Sequence, residues 1–426
     1  MNIAIIGSGI SGLSSALLLS PEHKITLIEN DNRFGGHANT IDVKINQDIV
    51  PVDTGFIVYN EINYPNLVGF LDFLKVDTVS SDMSFAVSSG DGKLEYSGSF
   101  KGLFAQPKNL FKLSFYKMLK DIIIFFIFGY KYAYEIEGDE SLKDYLKRCN
   151  FSKEFVNDHL IPMSSAIWSC PENEILNFPA KSLLTFFKNH QLINFIFRPK
   201  WRTVRNGSKE YVKKVIKELE KNSENNLMLN TQIKSISVYN KKIKINFQNK
   251  SKIFDKVIMA THPDQTIKLI EKLDKKTVSL LKKFKYQQNV VYLHSDISLM
   301  PKNKKTWSSW NYLSNNKKPK ETTVTYWMNL LQKLNTSKNF FVSLNPYITP
   351  KSILTYKKVV YEHPIFNDET NKAQKKIEFI QGNDNIYFTG AWLGYGFHED
   401  GIKSAVRMAK LLNSKIPWEK KIKLVI

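Results

Sequence analysis

Gly7, Gly9 and Gly12, read together with Glu29, have the residue types and spacing to hold a dinucleotide. The run Gly7-x-Gly9-x-x-Gly12 follows an apolar stretch at 3–6 and precedes another at 13–19, and Glu29 ends a third over 24–28. Strand, turn, helix, strand and acid in that order make up a dinucleotide-binding unit. Gly7 permits the tight turn, Gly9 lets backbone approach a pyrophosphate, and Gly12 lets helix and strand pack closely. The start of the helix offers free N–H groups to the phosphates. Ser11 and Asn30 flank these positions and are counted with them. Glu29 is placed to bind a ribose 2′-hydroxyl, and its charge repels a 2′-phosphate, which disfavours NADP.

The elements that must position these residues are split between the two ends of the chain. Residues 227–238, 242–247 and 254–260 read as strands, and a last strand at 385–389 enters Gly390 ahead of a helix over about 401–412. The fold class expected is α/β: a Rossmann-like nucleotide domain, discontinuous in sequence, with an inserted α+β substrate domain. The first is assigned residues 1–75, 203–264 and 380–416, the second 76–202 and 265–379, and 417–426 form a C-terminal tail. Ligand pockets favour such domain seams.

Composition narrows the class. At 426 residues and 42% hydrophobic content the chain is folded and too long for one ordinary core. Its two cysteines, Cys149 and Cys170, lie far apart, so no disulfide framework and no metal site are expected. That points to a reducing, cytoplasmic setting, and the N-terminus leaves no room for a signal peptide. The net charge of +21 comes almost wholly from lysines spread along the chain. With no nucleic-acid module in sight, it reads as compositional drift, with attraction to an anionic membrane surface the physical consequence. The apolar run 122–130 is too short to span a bilayer. It is a buried helix or part of an apolar entrance touching the inner membrane face.

Beyond Glu29, the residues Arg33, Gly35 and Gly36 complete an E-x-x-x-R-x-G-G run that ends at His37. That run resembles an extension found in the flavin amine oxidase and phytoene desaturase superfamily, in which many relatives carry Arg where His37 stands. Asp53-Thr-Gly55 resembles the D-x-G element that passes close to the flavin. At the far end, Gly390 and the helix containing Gly401 and Ile402 resemble the element whose N-terminus supports the flavin pyrimidine edge. Ala391 stands where some flavoproteins place an acid on the ribityl chain. The resemblance implies FAD as cofactor, contacted by these residues and by Ile233. Strings at 159–171, 199–208, 257–265 and 307–312 resemble a bacterial subgroup of NAD/FAD-binding, amine-oxidase-like proteins linked to enzymes that methylate unsaturated acyl chains. It implies a hydrophobic, fatty-acyl substrate and a lipid-methylating partner enzyme.

The reaction expected is removal of hydride from a substrate C–H, with a second hydrogen leaving as a proton if the substrate is an acyl chain. Candidate bases by motif position are His398, Glu399 and His363, with His37 alongside. Trp307, Trp310, Tyr312, Tyr326, Trp327, Trp392 and Tyr395 suit a dry pocket. Two alternatives stand: an amine oxidase, with Lys283 or Lys285 near the flavin and Asp296 as a pocket acid, and a non-catalytic flavoprotein that partners a lipid-modifying enzyme.

Overall fold

A computed structural model describes residues 1–134, 140–168, 172–189, 199–315 and 323–419. Cys170 and residues 420–426 of the expected tail lie outside them. Strands Asn226–Met228, Lys24–Ile28, Asn2–Ile6, Lys256–Met259 and Ile386–Phe388 form a parallel sheet in that spatial order. Ile5 sits beside Leu27 on one side and Ile258 on the other, and Ile258 beside Tyr387. Successive strand residues face opposite sides, and both sides are apolar because both are covered. Ile3, Ile5, Ile25 and Leu27 pack under helix Ile10–Leu19, whose residues are all buried, and under helix His398–Leu411. Ala4, Ile6, Val257 and Met259 pack on the other side against an antiparallel meander, Ile233–Tyr239, Lys242–Phe247 and Ser251–Phe254.

The stretch 227–238, read from sequence as one strand, is two. It breaks near Asn230, which takes a left-handed φ of 48°, so its first part joins the parallel sheet and its second the meander. The domain limits also move. Ile270, Leu281 and Phe284, with Ala373, Ile377 and Ile380, pack in the same core as Val257 and Phe388. Residues 265–284 and 367–379 thus belong with the nucleotide sheet rather than with the substrate domain.

The second unit is built on a seven-stranded sheet. Its order is Thr355–Ile365, Lys285–His294, Phe341–Leu344, Thr323–Trp327, Trp310–Leu313, Phe85–Ser89 and Leu94–Ser97. A helical layer accompanies it, including Leu113–Tyr134, Ile161–Trp168 and Ala180–Asn189. The run 122–130 lies within the first of these helices. No helix among the described residues is long and apolar enough to cross a membrane.

Candidate active site

A cavity of about 1040 Å³ opens where the carboxyl ends of the parallel strands meet the seven-stranded sheet. Open α/β sheets bind ligands at that end because loops and helix N-termini converge there. The lining gathers residues from both termini: Gly7, Gly9, Ser11, Glu29, Asn30, Arg33, Gly36, His37, Gly55, Ile233, Gly390, Ala391, His363 and His398. Gly12, Gly35, Asp53, Glu399, Gly401 and Ile402 lie behind it.

The residues present fit a dinucleotide. Gly7 has φ +94°, and a Cβ there would stand 2.8 Å from Ala260 O. A Cβ on Gly12 would fall 1.9 Å from Gly7 O, so that glycine closes the turn onto the helix. Gly9 differs: a Cβ there meets nothing within 4 Å, so a side chain would occupy the cavity itself. Beside it starts helix Ile10–Leu19, with no side-chain cap and no acid in its first turn, leaving its N–H groups for an anion. Glu29 Oε2 accepts from Ser8 N at 2.8 Å and Ser8 Oγ at 2.6 Å, and Oε1 accepts from Asp31 N at 2.9 Å, which fixes the carboxylate at the cavity edge.

Several expected contacts do other work. Arg33 lines the cavity, but its guanidinium donates to Gly36 O at 2.6 Å and Ala38 O at 3.2 Å, so it shapes the glycine loop. Gly35 backs that loop, its N–H donating to Ser8 O at 3.0 Å. Asp53 is fully buried. It accepts from Thr40 Oγ1 at 2.5 Å, Ser208 N at 2.9 Å and Gln332 Nε2 at 3.2 Å, tying three distant segments together. Burial pushes its pKa up to about 6 against these bonds. Gly401 lets its helix cross the start of helix Ile10–Leu19, since a Cβ would come 2.7 Å from Ile10 Cγ2, and Ile402 is core.

Glu399 does not face the cavity. Its carboxylate accepts from Asn66 Nδ2 at 2.7 Å, Asn66 N at 3.1 Å and Leu67 N at 2.9 Å, capping helix Pro65–Phe73, which has no side-chain cap of its own. Burial raises its pKa to about 7. Its neighbour Asp400 caps its own helix, accepting from Tyr395 N at 2.9 Å and Phe397 N at 3.0 Å.

The lining imidazoles are neutral. Burial lowers His398 to about 3 and His363 to about 4, and holds His37 well below its usual value. His398 stacks on Phe56 at 3.7 Å, with Nε2 3.0 Å from the Tyr211 hydroxyl. His37 stacks on Tyr361 at 4.8 Å, and the Tyr361 hydroxyl is held by Asn39 Nδ2 at 2.9 Å and Thr54 Oγ1 at 2.7 Å.

The tautomer of His363 follows from its network. Val290 N donates to Asn345 Oδ1 at 2.8 Å, and Asn345 Nδ2 donates to Asn289 Oδ1 at 2.7 Å. Asn289 therefore turns Nδ2 towards His363 Nδ1 at 2.9 Å, which must accept. The proton sits on Nε2. His363, expected as a base, is a donor at its free nitrogen.

Of the expected aromatics, Trp310, Tyr326, Trp392 and Tyr395 line the cavity. Trp307 and Trp327 point their indole N–H groups at Pro301 O (2.8 Å) and Asn339 Oδ1 (3.0 Å), and Tyr312 is buried with Phe115. Lys283 is exposed and paired with Glu369 at 3.2 Å, and neither it nor Lys285 lines the cavity. Asp296 accepts from Ser298 N and Lys351 N, both at 3.0 Å, away from the lining. Sequence reasoning missed His262, Tyr286 and Tyr361. His262 stacks on Tyr286 at 4.0 Å and sits 3.4 Å from Glu362. Its place just past a parallel strand was the available signal.

Comparison with known proteins agrees with this geometry. The sequence has no significant match among curated proteins. Among solved structures, cyclohexylamine oxidase from Brevibacterium oxydans IH-35A is similar at TM-score 0.66 and 13% identity, over 97% of this chain and 99% of that one. A CLA-producing fatty acid isomerase from P. acnes is similar at TM-score 0.63 and 15% identity, over 96% and 97%. Putrescine oxidase with bound putrescine is similar at 0.65 and 14%, over 97% and 99%. At such identities the likeness is one of fold. The model of the flavin containing amine oxidoreductase family matches residues 10–296, more than half the chain. Sharing that family's sequence pattern as well as its fold, the chain belongs to the flavin containing amine oxidoreductases and is a flavin-dependent oxidoreductase with FAD as its cofactor.

Proposed function

We propose that this oxidoreductase removes hydride from a hydrophobic, fatty-acyl substrate, methyl-branched or unsaturated, and so acts as a dehydrogenase or desaturase. The observation that carries the reading is the wall of the cavity away from its nucleotide end. Met83, Phe85, Met163, Ile167, Phe186 and Leu344 line it, with Trp310 edge-on to Tyr326 at 4.7 Å. Among the described residues, the acids of the lining are Glu29, Asp31 and Glu362. The first two belong to the nucleotide end, and Glu362 lies against His262. A diamine or polyamine pocket needs carboxylates opposite its cations, since a desolvated charge is costly unless paired.

Bound FAD supplies the hydride acceptor. The chain's own residues hold an acyl chain against a dry wall, which keeps water from the reacting carbon. His363 offers an N–H, and burial keeps His398 uncharged beside Phe56. At about 3 and about 4, these two imidazoles are too weakly basic for efficient proton removal at neutral pH. The proton lost from the neighbouring carbon, whose bonding pair becomes the new double bond, therefore passes to water at the cavity mouth. An allylic or methyl-branched carbon suits such a site because it eases the cationic character that develops on hydride loss.

The test is to express the protein with and without a lipid-methylating enzyme and profile the cell's fatty acids by mass spectrometry. The expected result is an added double bond in methyl-branched chains that requires both proteins. An unchanged profile, together with amine-dependent peroxide formation by the purified protein, overturns the reading in favour of an amine oxidase.

A further inference from the structure

The outward side of helix Leu113–Tyr134 is apolar where water would favour polar residues. Its inner side is already committed: Phe115, Met118 and Phe125 are buried, Phe125 against Leu183 and Phe187. Yet Leu113 is 72% exposed, Ile127 59% and Ile123 50%. With Tyr116, 48% exposed, they are spaced three, seven and four residues apart, so they share one face of the helix. The segment leading into the helix continues the surface, with Phe111 90% and Phe100 81% exposed. Both segments rest on one satellite core containing Tyr96, Phe115 and Met118, with Leu103 and Phe104 packed against it, so the patch is contiguous.

Its charge is one-sided. Lys101, Lys108, Lys112, Lys117, Lys120 and Lys131 are exposed across the same stretch. The sole acid between residues 99 and 131 is Asp121. It is buried, with Oδ2 accepting from Ser152 N at 2.7 Å. Bulky apolar side chains interleaved with lysines, and no exposed acid, are the composition of a helix that lies in a lipid headgroup layer. Apolar groups enter the acyl boundary while lysine stems lie along it with their ammonium groups at the phosphates.

We infer that this face docks the protein on an anionic lipid bilayer, peripherally and without spanning it. The helices behind it, Ile161–Trp168 and Ala180–Asn189, contribute Met163, Ile167 and Phe186 to the apolar wall of the cavity. Docking therefore places the substrate side of the molecule at the membrane. The surface stands whichever molecule is oxidised.

Flotation of the purified, FAD-loaded protein with vesicles tests it. Vesicles of phosphatidylcholine containing phosphatidylglycerol should carry the protein up the gradient, and phosphatidylcholine alone should carry at least tenfold less. Phe111→Asp with Ile127→Asp, and separately Lys117→Glu with Lys120→Glu, should each cut binding at least tenfold, with flavin absorbance and Tm unchanged because all four side chains are exposed. Failure of the wild type to float with anionic vesicles overturns the inference, as does flotation unaffected by either pair. So does a dimer in sedimentation that the Phe111 and Ile127 changes dissolve without any vesicle binding, which would make the patch an interface between copies.

Discussion

Asn289 Nδ2 lies 2.9 Å from His363 Nδ1, and the direction of that bond is set by a backbone N–H, that of Val290, acting through Asn345. The relay makes a cavity imidazole a donor. Asn289→Asp reverses it, because an ionised carboxylate only accepts. His363 then protonates at Nδ1, and the adjacent charge raises its pKa from about 4 towards neutrality. The pH profile of kcat should gain an ionisation between about pH 6 and 8 that the wild type lacks, with a rate loss of roughly tenfold or more from the changed hydrogen bond. A profile identical to wild type would show that the relay does not set this tautomer.

Glu399 gives a stability prediction with a definite sign. Its pKa rises from 4.5 to about 7 on folding, mainly through burial. Between those values the folded protein holds a proton that the unfolded chain has released, so stability falls as pH rises through that window. Glu399→Gln does not titrate, but its amide NH2 cannot accept from Leu67 N as a carboxyl oxygen does. Thermal melts should therefore show the variant less stable than wild type at pH 5, with the gap narrowing by on the order of 2 kcal/mol towards pH 8. Asp53 and Asp400, each raised to about 6, leave a residual slope of the same sign in both proteins. A variant whose melting curve keeps the full wild-type slope would contradict this.

The glycines of the first turn divide into cofactor and fold. Gly9→Val puts a side chain into open cavity, so the apoprotein should keep its Tm while FAD affinity drops by at least tenfold. Gly12→Ala brings a methyl group within 1.9 Å of Gly7 O, and the chain should lose roughly 3 kcal/mol or fail to fold. Fluorescence titration with FAD and calorimetry of the apoproteins separate the two. Equal effects of both substitutions on Tm would refute the division.

What sequence made legible follows from how local each constraint is. The turn at Gly7–Gly12 and the acid at Glu29 were readable because a tight turn, a close helix and a strand end each demand a residue type at a fixed offset. Asp53 and Glu399 sat at motif positions, but where a carboxylate points depends on partners that arrive from elsewhere, Ser208 for one and Leu67 for the other. His37, Tyr361 and His363 converge through loop placement and the pairing of Thr355–Ile365 with Lys285–His294, where His363 faces Gln287. No local pattern encodes that register. Of the seven aromatics expected at a dry pocket, Trp310, Tyr326, Trp392 and Tyr395 line the cavity and Trp307, Tyr312 and Trp327 do not, a division that depends on sheet order and loop placement.

The most direct measurement is anaerobic mixing of the FAD-loaded protein with candidate substrates while following the oxidised flavin absorbance. A methyl-branched or unsaturated acyl substrate should bleach the band within the time of a turnover, and putrescine or a simple primary amine should leave it unchanged. Bleaching by the amine with none by any acyl chain would contradict the account.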